Sequence, residues 1–125
     1  GTEHKQAKVE KITKTPQGFD VDLEGGEKIQ ANTMIIATGS DFGGGSVRAG
    51  HLAWEIELLV GAGLEPHEAL AAATRNGGAL YGVDHAGRIE EGMPADLVLV
   101  HGDPLSDPRA MWRVWAVYQA GVRVA

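Results

Sequence analysis

The sequence predicts an α+β fold, in which a mixed β-sheet or a small sandwich carries an αα-hairpin on one face. Patterns typical of strands occupy both ends of the chain, and two helical apolar patterns lie between them. This grouping favours α+β packing over alternating strand and helix units. The length of 125 residues fits one domain with a single hydrophobic core.

A β-meander is predicted for the first forty residues. Residues 7–15 carry isolated apolar positions among polar ones, and residues 18–23 alternate strictly between the two types. The glycine-rich turn at 24–27 joins them to residues 28–31 as hairpin chemistry requires. Residues 33–37 are almost wholly apolar, which predicts a further strand that is buried on both faces.

Two consecutive helices are predicted in the middle of the chain. Apolar side chains recur at helical spacing across residues 49–60. A second helix follows at once, because Pro66 suits a first helical turn, Glu68 complements the positive end of the helix dipole, and apolar positions continue to Gly82. The short connection predicts an αα-hairpin.

The chain returns to extended structure after residue 88. Residues 95–100 and 114–118 are dominated by valine, leucine and aromatic side chains, which predicts two strong strands. Residues 121–125 are expected to complete a final hairpin.

Composition limits the possible partners. A formal net charge of -6 argues against nucleic acid, whose phosphates are bound by Lys and Arg. The chain has no cysteine, so disulfides and thiolate sites are excluded. No apolar run is long enough for a membrane span, and no signal-peptide pattern opens the chain. We therefore expect a soluble, cytoplasmic protein that acts on a small molecule and binds neither nucleic acid nor membrane.

The N-terminal meander resembles the thioredoxin-reductase-like flavoproteins. The resemblance covers about residues 1–40 and is carried by GFDVDL at 18–23, GGEKIQA at 25–31 and MIIATGS at 34–40. That family binds its dinucleotide through a G-x-G-x-x-G loop at the start of a helix. The sequence GAGLEP at 61–66 breaks this pattern, so no bound flavin or nicotinamide cofactor is expected.

The remainder, from about residue 39, resembles the amidohydrolase superfamily, nearest to its imidazolonepropionase-like and prolidase-like members. The resemblance is carried by GSD at 39–41, ELLV at 57–60, AGL at 62–64, EALAAATRN at 68–76, GMPADLVLV at 92–100 and GDPL at 102–105. It implies the eighth strand and helix of a barrel, followed by strands of a small sandwich. A complete TIM barrel is excluded, because it needs about 250 residues.

The two resemblances meet at residues 37–41, which predicts a chimera. The expected organisation is a single composite domain over 1–125, with a flavoprotein-like meander at 1–40 and an amidohydrolase C-terminal-like segment at 41–125. The meander is expected to replace the missing half of the sandwich and to cover the helix pair. The apolar strand at 33–37 needs further neighbours, which predicts a homo-oligomer, expected to be a dimer.

The amidohydrolase resemblance implies that Asp41 is a metal-binding and proton-accepting aspartate. The other ligands of that family lie on strands that this chain lacks. A rebuilt centre needs about three protein ligands, and we predict a divalent metal, zinc, bound by Asp41, His51 and His4, with Asp41 and His51 catalytic. The competing interpretations are an exposed histidine at a helix start for His51 and a disordered terminus for His4. His67, His85 and His101 are interpreted as structural.

These residues predict a small metal-dependent hydrolase of ester or phosphoester substrates, such as phosphotriesters or lactones, with a partial or rebuilt site. One alternative is a chimeric or engineered folded domain without evolved activity. Remnant flavin or nicotinamide binding is the second alternative.

Overall fold

The computed structural model describes residues 5–39, 50–83 and 85–125, and it combines two small antiparallel sheets with three helices. The predicted metal ligands His4 and Asp41 lie outside these ranges. In chain order the elements are β1 (Val9–Thr15), β2 (Gly18–Leu23), β3 (Lys28–Ala31), α1 (Leu52–Gly61), α2 (Pro66–Ala72), α3 (Arg75–Leu80), β4 (Leu97–Val100), a 3₁₀ helix (Pro108–Trp112), β5 (Val114–Gln119) and β6 (Val122–Arg123). Among the described residues, no helix is long and apolar enough to cross a membrane.

The N-terminal sheet consists of β1, β2 and β3 in that order, with antiparallel pairing throughout. The predicted turn is present: Gly25 and Gly26 both have positive φ, and the Leu23 amide donates to the Glu27 carbonyl. Opposite residues share a face in such a ladder, so the pairing of Ile12 with Val21 puts both on one side. The meander therefore forms as the alternation predicts.

One face of the N-terminal sheet packs against the helix pair. Ile12, Val21 and Leu23 form one buried cluster with Ile56 of α1, Leu64 between the helices and Ala69 of α2. The Ile12 amide also donates to the carbonyl of Ala62, just after α1, at 2.6 Å. The prediction that the meander covers the helix pair is confirmed.

Residues 33–37 do not form the predicted buried strand. Met34 and Ile36 pack against the core cluster, but Ile35 is 69% exposed. The segment is held by contacts to the helices instead: the Asn76 side chain donates to the Ile36 carbonyl at 2.8 Å, and the Thr38 amide donates to the Ala72 carbonyl at 3.1 Å. These contacts are not those of a β-ladder, so the strand prediction for residues 33–37 is wrong.

The predicted second helix is divided into α2 and α3. The start of α2 matches the prediction, with Pro66 in the first turn and a capping box between Glu65 and Glu68. The break lies at Thr74, whose hydroxyl donates to the Leu70 carbonyl at 2.8 Å. Gly87 packs closely on the same peptide, since a Cβ there would lie 2.5 Å from the Arg75 nitrogen. The break between α2 and α3 thus coincides with a contact from Gly87, which lies more than ten residues later in the chain.

The C-terminal sheet consists of β4, β5 and β6 in that order, again antiparallel. The predicted hairpin is present, and its turn residues Ala120 and Gly121 both have positive φ, as a type I′ turn requires. The prediction of a mixed sheet is wrong, because all pairing among residues 5–39, 50–83 and 85–125 is antiparallel and the two sheets share no ladder there. The described strands do not close into a barrel.

The N-terminal meander does not complete a sandwich with the C-terminal sheet. The apolar face of the meander packs in a cluster with residues of α1, α2 and the connection between them. Among the described residues that pack against this cluster, Met111 of the 3₁₀ helix lies nearest to the C-terminal sheet. The C-terminal sheet contacts the 3₁₀ helix, which in turn contacts α1. The expected substitution of sandwich strands is therefore wrong, since the meander uses its apolar face on the helices.

Candidate functional site

His51 lies immediately before α1 and begins that helix through its backbone. Its carbonyl accepts hydrogen bonds from the amides of Trp54 at 3.0 Å and Glu55 at 3.3 Å. The imidazole makes no capping hydrogen bond, and the residue is half-buried. The side chain of His51 therefore does not cap the N-terminus of α1.

Two tryptophans flank the imidazole of His51. Its ring centroid is 6.4 Å from that of Trp54 and 6.1 Å from that of Trp112, both in edge-on arrangements. Such geometry is favoured by the charge distribution of aromatic rings. Trp54 belongs to α1, and Trp112 ends the 3₁₀ helix. His51 thus lies in an aromatic cluster where these two helices meet.

Glu57 fixes the position of Trp112 in this aromatic cluster. The indole nitrogen of Trp112 donates to Glu57 Oε1, and Arg109 Nε lies 3.6 Å from Glu57 Oε2. Arg109 is largely exposed, so the ion pair contributes at most about 1 kcal/mol. The hydrogen bond to the indole is the contact that orients the ring toward His51.

The chain leading to Asp41 is attached to the same end of α1. The Gly39 amide donates to Glu55 Oε2 at 3.0 Å, and Glu55 stands one helical turn after His51. The backbone on either side of residues 40–49 is therefore anchored at the first turn of α1. Sequence reasoning missed Glu55, since no local pattern links it to the Gly39 amide, which lies 16 positions earlier in the chain.

A cleft of about 420 Å³ opens between β1, the segment 34–39 and α1. Its described lining is apolar except near one end, where Thr38, Gly39 and the Glu55 side chain are found. An apolar cavity with few polar groups is the usual form of a small-molecule site. This cleft is the candidate binding cavity nearest to the anchored backbone.

The described residues do not by themselves form a metal centre. Within 5–39, 50–83 and 85–125, no group of three His, Asp or Glu side chains could hold a metal ion. Of the three predicted ligands, His51 lies in these ranges, while Asp41 and His4 lie outside them. His101 packs near Trp115, with ring centroids 6.2 Å apart, and His67 and His85 are exposed.

A model of the amidohydrolase family matches residues 5–124. The chain belongs to the amidohydrolase family. The match begins inside the N-terminal meander, so it includes both parts of the predicted chimera. The amidohydrolase resemblance is confirmed, and the flavoprotein resemblance of residues 1–40 stays a prediction.

Several solved structures resemble the chain over slightly more than half of its length. A protein assigned as a prolidase from Bifidobacterium longum is 43% identical with a TM-score of 0.55, over 58% of this chain and 18% of its own. Molinate hydrolase is 29% identical with a TM-score of 0.55, over 59% and 16%. Phenylurea hydrolase B is 40% identical with a TM-score of 0.54, over 59% and 16%.

The chain spans less than a fifth of the length of each of these three structures. No curated protein matches it.

Proposed function

We propose that this amidohydrolase chain forms part of a metal-dependent hydrolase, which cleaves a C–N bond next to a carbonyl group. The observation that carries the proposal is the family match over residues 5–124. The apolar cleft beside Glu55 supports it, because a small substrate with an apolar group fits such a cavity.

The relatives shift the expected substrate class. The sequence predicts ester or phosphoester hydrolysis, but the similar structures are those of a prolidase, a molinate hydrolase and a phenylurea hydrolase. None of these three names denotes a phosphotriesterase. We therefore place amides and ureas first and keep activated esters and phosphotriesters as the second class of substrate.

Members of this family typically use divalent metals, which supply a hydroxide nucleophile and polarise the carbonyl when bound. We propose zinc, with Asp41 and His51 as ligands and His4 as a further one. The described residues do not complete a centre. The remaining ligands must therefore come from Asp41, from His4 or from another polypeptide segment.

Glu55 has a positioning role in this proposal. Its carboxylate accepts the hydrogen bond from the Gly39 amide, two residues before Asp41. Removing that acceptor releases one anchor of the backbone that leads to Asp41. The aromatic cluster of Trp54 and Trp112 limits the orientations of the His51 ring in the same way.

Metal content and turnover test the proposal together. The purified chain is analysed for bound zinc, and hydrolysis of an aryl amide, a phenylurea and an aryl phosphotriester is measured before and after chelation. We expect substoichiometric zinc or none in Asp41→Asn and in His51→Ala. Each variant should bind zinc at least about tenfold more weakly, because the loss of even a group that only orients a ligand costs that much affinity.

His67→Ala is the matched control, because His67 is exposed and lies in the first turn of α2. Full zinc binding in both Asp41→Asn and His51→Ala would refute the proposed ligands. Absence of zinc and of turnover in the unmodified chain would instead favour a folded domain without evolved activity.

The chimeric origin of residues 1–40 is a separate proposal, supported by the three strand motifs of the meander. The competing account is a single amidohydrolase origin, because the family match starts at residue 5. Remnant flavin or nicotinamide binding is tested by titrating either cofactor and recording its fluorescence. We expect no saturable change.

A further inference from the structure

The cleft between β1, the segment 34–39 and α1 is apolar over most of its described surface. Its walls include Ile12, Met34 and Leu59, one from each of these three parts of the chain. The same three residues belong to the buried core cluster or pack against it, so the fold itself holds the walls in place. The volume of about 420 Å³ lies within the range of about 300–1,000 Å³ that is usual for small-molecule sites.

A single carboxylate gives this cleft its charge. Glu55 is the one charged side chain among the described residues that line the cleft. None of the ion pairs within residues 5–39, 50–83 and 85–125 includes it. Its Oε2 accepts from the Gly39 amide at 3.0 Å, which places the carboxylate at the polar end of the cleft. A carboxylate has about four acceptor positions, so most of this capacity is left for a ligand.

A small molecule with a positive charge and an apolar chain matches this arrangement. The chain would bury apolar surface against the walls, and an ammonium group would form a charge-assisted hydrogen bond with Glu55. An anion of the same size is repelled by Glu55 and by the net charge of -6. A neutral molecule of the same shape buries the same apolar surface but lacks the charge-assisted bond. Charge complementarity therefore selects the cation.

We propose that this cleft binds the ammonium form of an apolar aliphatic amine, with the nitrogen at Glu55. The assignment rests on the proposed function and names its substrate class. Hydrolysis of an amide adds water across the C–N bond and gives a carboxylic acid and an amine, and the amine takes the proton that the acid releases. An aliphatic amine is protonated at neutral pH, as the lysine side chain is. Glu55 thus favours amides and ureas of apolar aliphatic amines.

Amine binding is measured on metal-free protein, so that it does not depend on turnover. Hexylamine, hexanol and hexanoate are titrated at pH 7 with a chelator present, and the amide and methyl signals of Gly39 and Leu58 are followed by NMR. We expect hexylamine to bind at least about tenfold more tightly than hexanol, and hexanoate not to saturate. Affinity should rise from ethylamine to hexylamine by up to about fourfold for each methylene.

Glu55→Gln keeps an acceptor for the Gly39 amide and removes the charge. We expect it to bind hexylamine at least about tenfold more weakly, and to bind hexanol as the unmodified chain does. Glu10→Gln is the matched control, because Glu10 is an exposed carboxylate on β1 that does not line the cleft. Its affinity for hexylamine is expected to be unchanged.

Three results would overturn the proposal: no saturable binding of hexylamine, equal affinities for hexylamine and hexanol, or full hexylamine affinity in Glu55→Gln. Binding that depends on Glu55 in a chain without zinc or turnover would support the amine site and refute the proposed hydrolase. Turnover without such binding would support the hydrolase and refute the amine site.

Discussion

The two sheets of this protein have the same number of strands and the same antiparallel pairing, but they differ in what covers them. On the N-terminal sheet, Ile12, Val21 and Leu23 are no more than 7% exposed, because α1 and α2 lie against them. On the C-terminal sheet, Val98, Val122 and Val124 are more than half exposed. The apolar pattern of a strand therefore predicts that one face of its sheet is to be covered, but it does not say which part of the structure covers it.

The largest expected effect is at the contact between the N-terminal sheet and α1. Ile56 is completely buried in the shared cluster. We expect Ile56→Ala to lower the free energy of unfolding by about 2–5 kcal/mol, because it removes packed methylenes and leaves a cavity. Urea denaturation followed by circular dichroism measures this change.

Leu105→Ala is the matched control for Ile56→Ala, since Leu105 follows β4 and is 55% exposed. We expect it to change the free energy of unfolding by less than about 1 kcal/mol. Equal losses in the two variants would show that the covered sheet is not what stabilises the fold.

A smaller effect is expected where the turn between α1 and α2 touches β1. Gly63 has a φ of 110°, and a Cβ there would lie 2.5 Å from the Ile12 carbonyl oxygen. Gly102, near the C-terminal sheet, has a φ of 97°, but its Cβ would meet the flexible Arg113 side chain at 3.0 Å. The two glycines therefore share backbone strain and differ in their neighbour.

We expect Gly102→Ala to lower the free energy of unfolding by about 1–3 kcal/mol, through backbone strain alone. Gly63→Ala should lower it by at least about 1 kcal/mol more, because the β1 backbone must move. Thermal and urea unfolding of both variants measure the difference. A loss in Gly102→Ala as large as in Gly63→Ala would rule out the close backbone contact as the cause.

The smallest effect concerns the ion pair that joins β1 to α2. Lys14 beside Glu68, followed by the Glu65 amide, lowers the pKa of the Glu68 carboxyl from its ordinary value of 4.5. A lowered pKa in the folded state stabilises the protein above pH 4.5, and this contribution is lost as the pH falls through the folded value. Glu68→Gln should therefore cost less than about 1 kcal/mol at pH 7.

The difference between Glu68→Gln and the unmodified chain should shrink as the pH falls below 4.5 and through the lowered pKa of Glu68, because the carboxylate becomes protonated. Urea unfolding at pH 7 and at a series of lower pH values measures it, with the exposed Glu91→Gln as control. A difference that does not change with pH would mean that the charge of Glu68 is not involved.

Local signals in the sequence predicted much of the fold. Alternation and the Gly25-Gly26 turn predicted β2 and β3 with their observed bounds. Pro66 and Glu68 predicted the start of α2, because caps and first-turn residues act within a few positions. The hairpin at Ala120-Gly121 was predicted for the same reason, since its geometry is set by two residues.

The errors arose where partners distant in sequence decide the structure. Residues 33–37 are apolar like a strand, but the Ile36 carbonyl accepts from the Asn76 side chain, and the amide of the adjacent Thr38 donates to the Ala72 carbonyl. The interruption at Thr74 involves Gly87, and the predicted mixed sheet is replaced by two antiparallel sheets among the described residues. Apolar patterns do not specify such contacts.

The candidate site was predicted less completely than the fold. His51 was selected as a ligand, and the structure adds that Trp54 and Trp112 flank it. Trp112 is 61 positions away, so sequence proximity gave no indication of this contact. Asp41 and His4 remain predictions, and Glu55 was missed because it was considered only as part of an apolar helix.

The hydrogen bond from Ile12 to Ala62 also limits how this molecule can polymerise. Ile12 stands in the middle of β1, so the turn after α1 blocks the outer edge of that strand. A fourth strand cannot add to this sheet at β1 without displacing the helices. Fibre growth by strand addition, if destabilised protein undergoes it, is thus expected to start from the outer edge of β3 or from the C-terminal sheet.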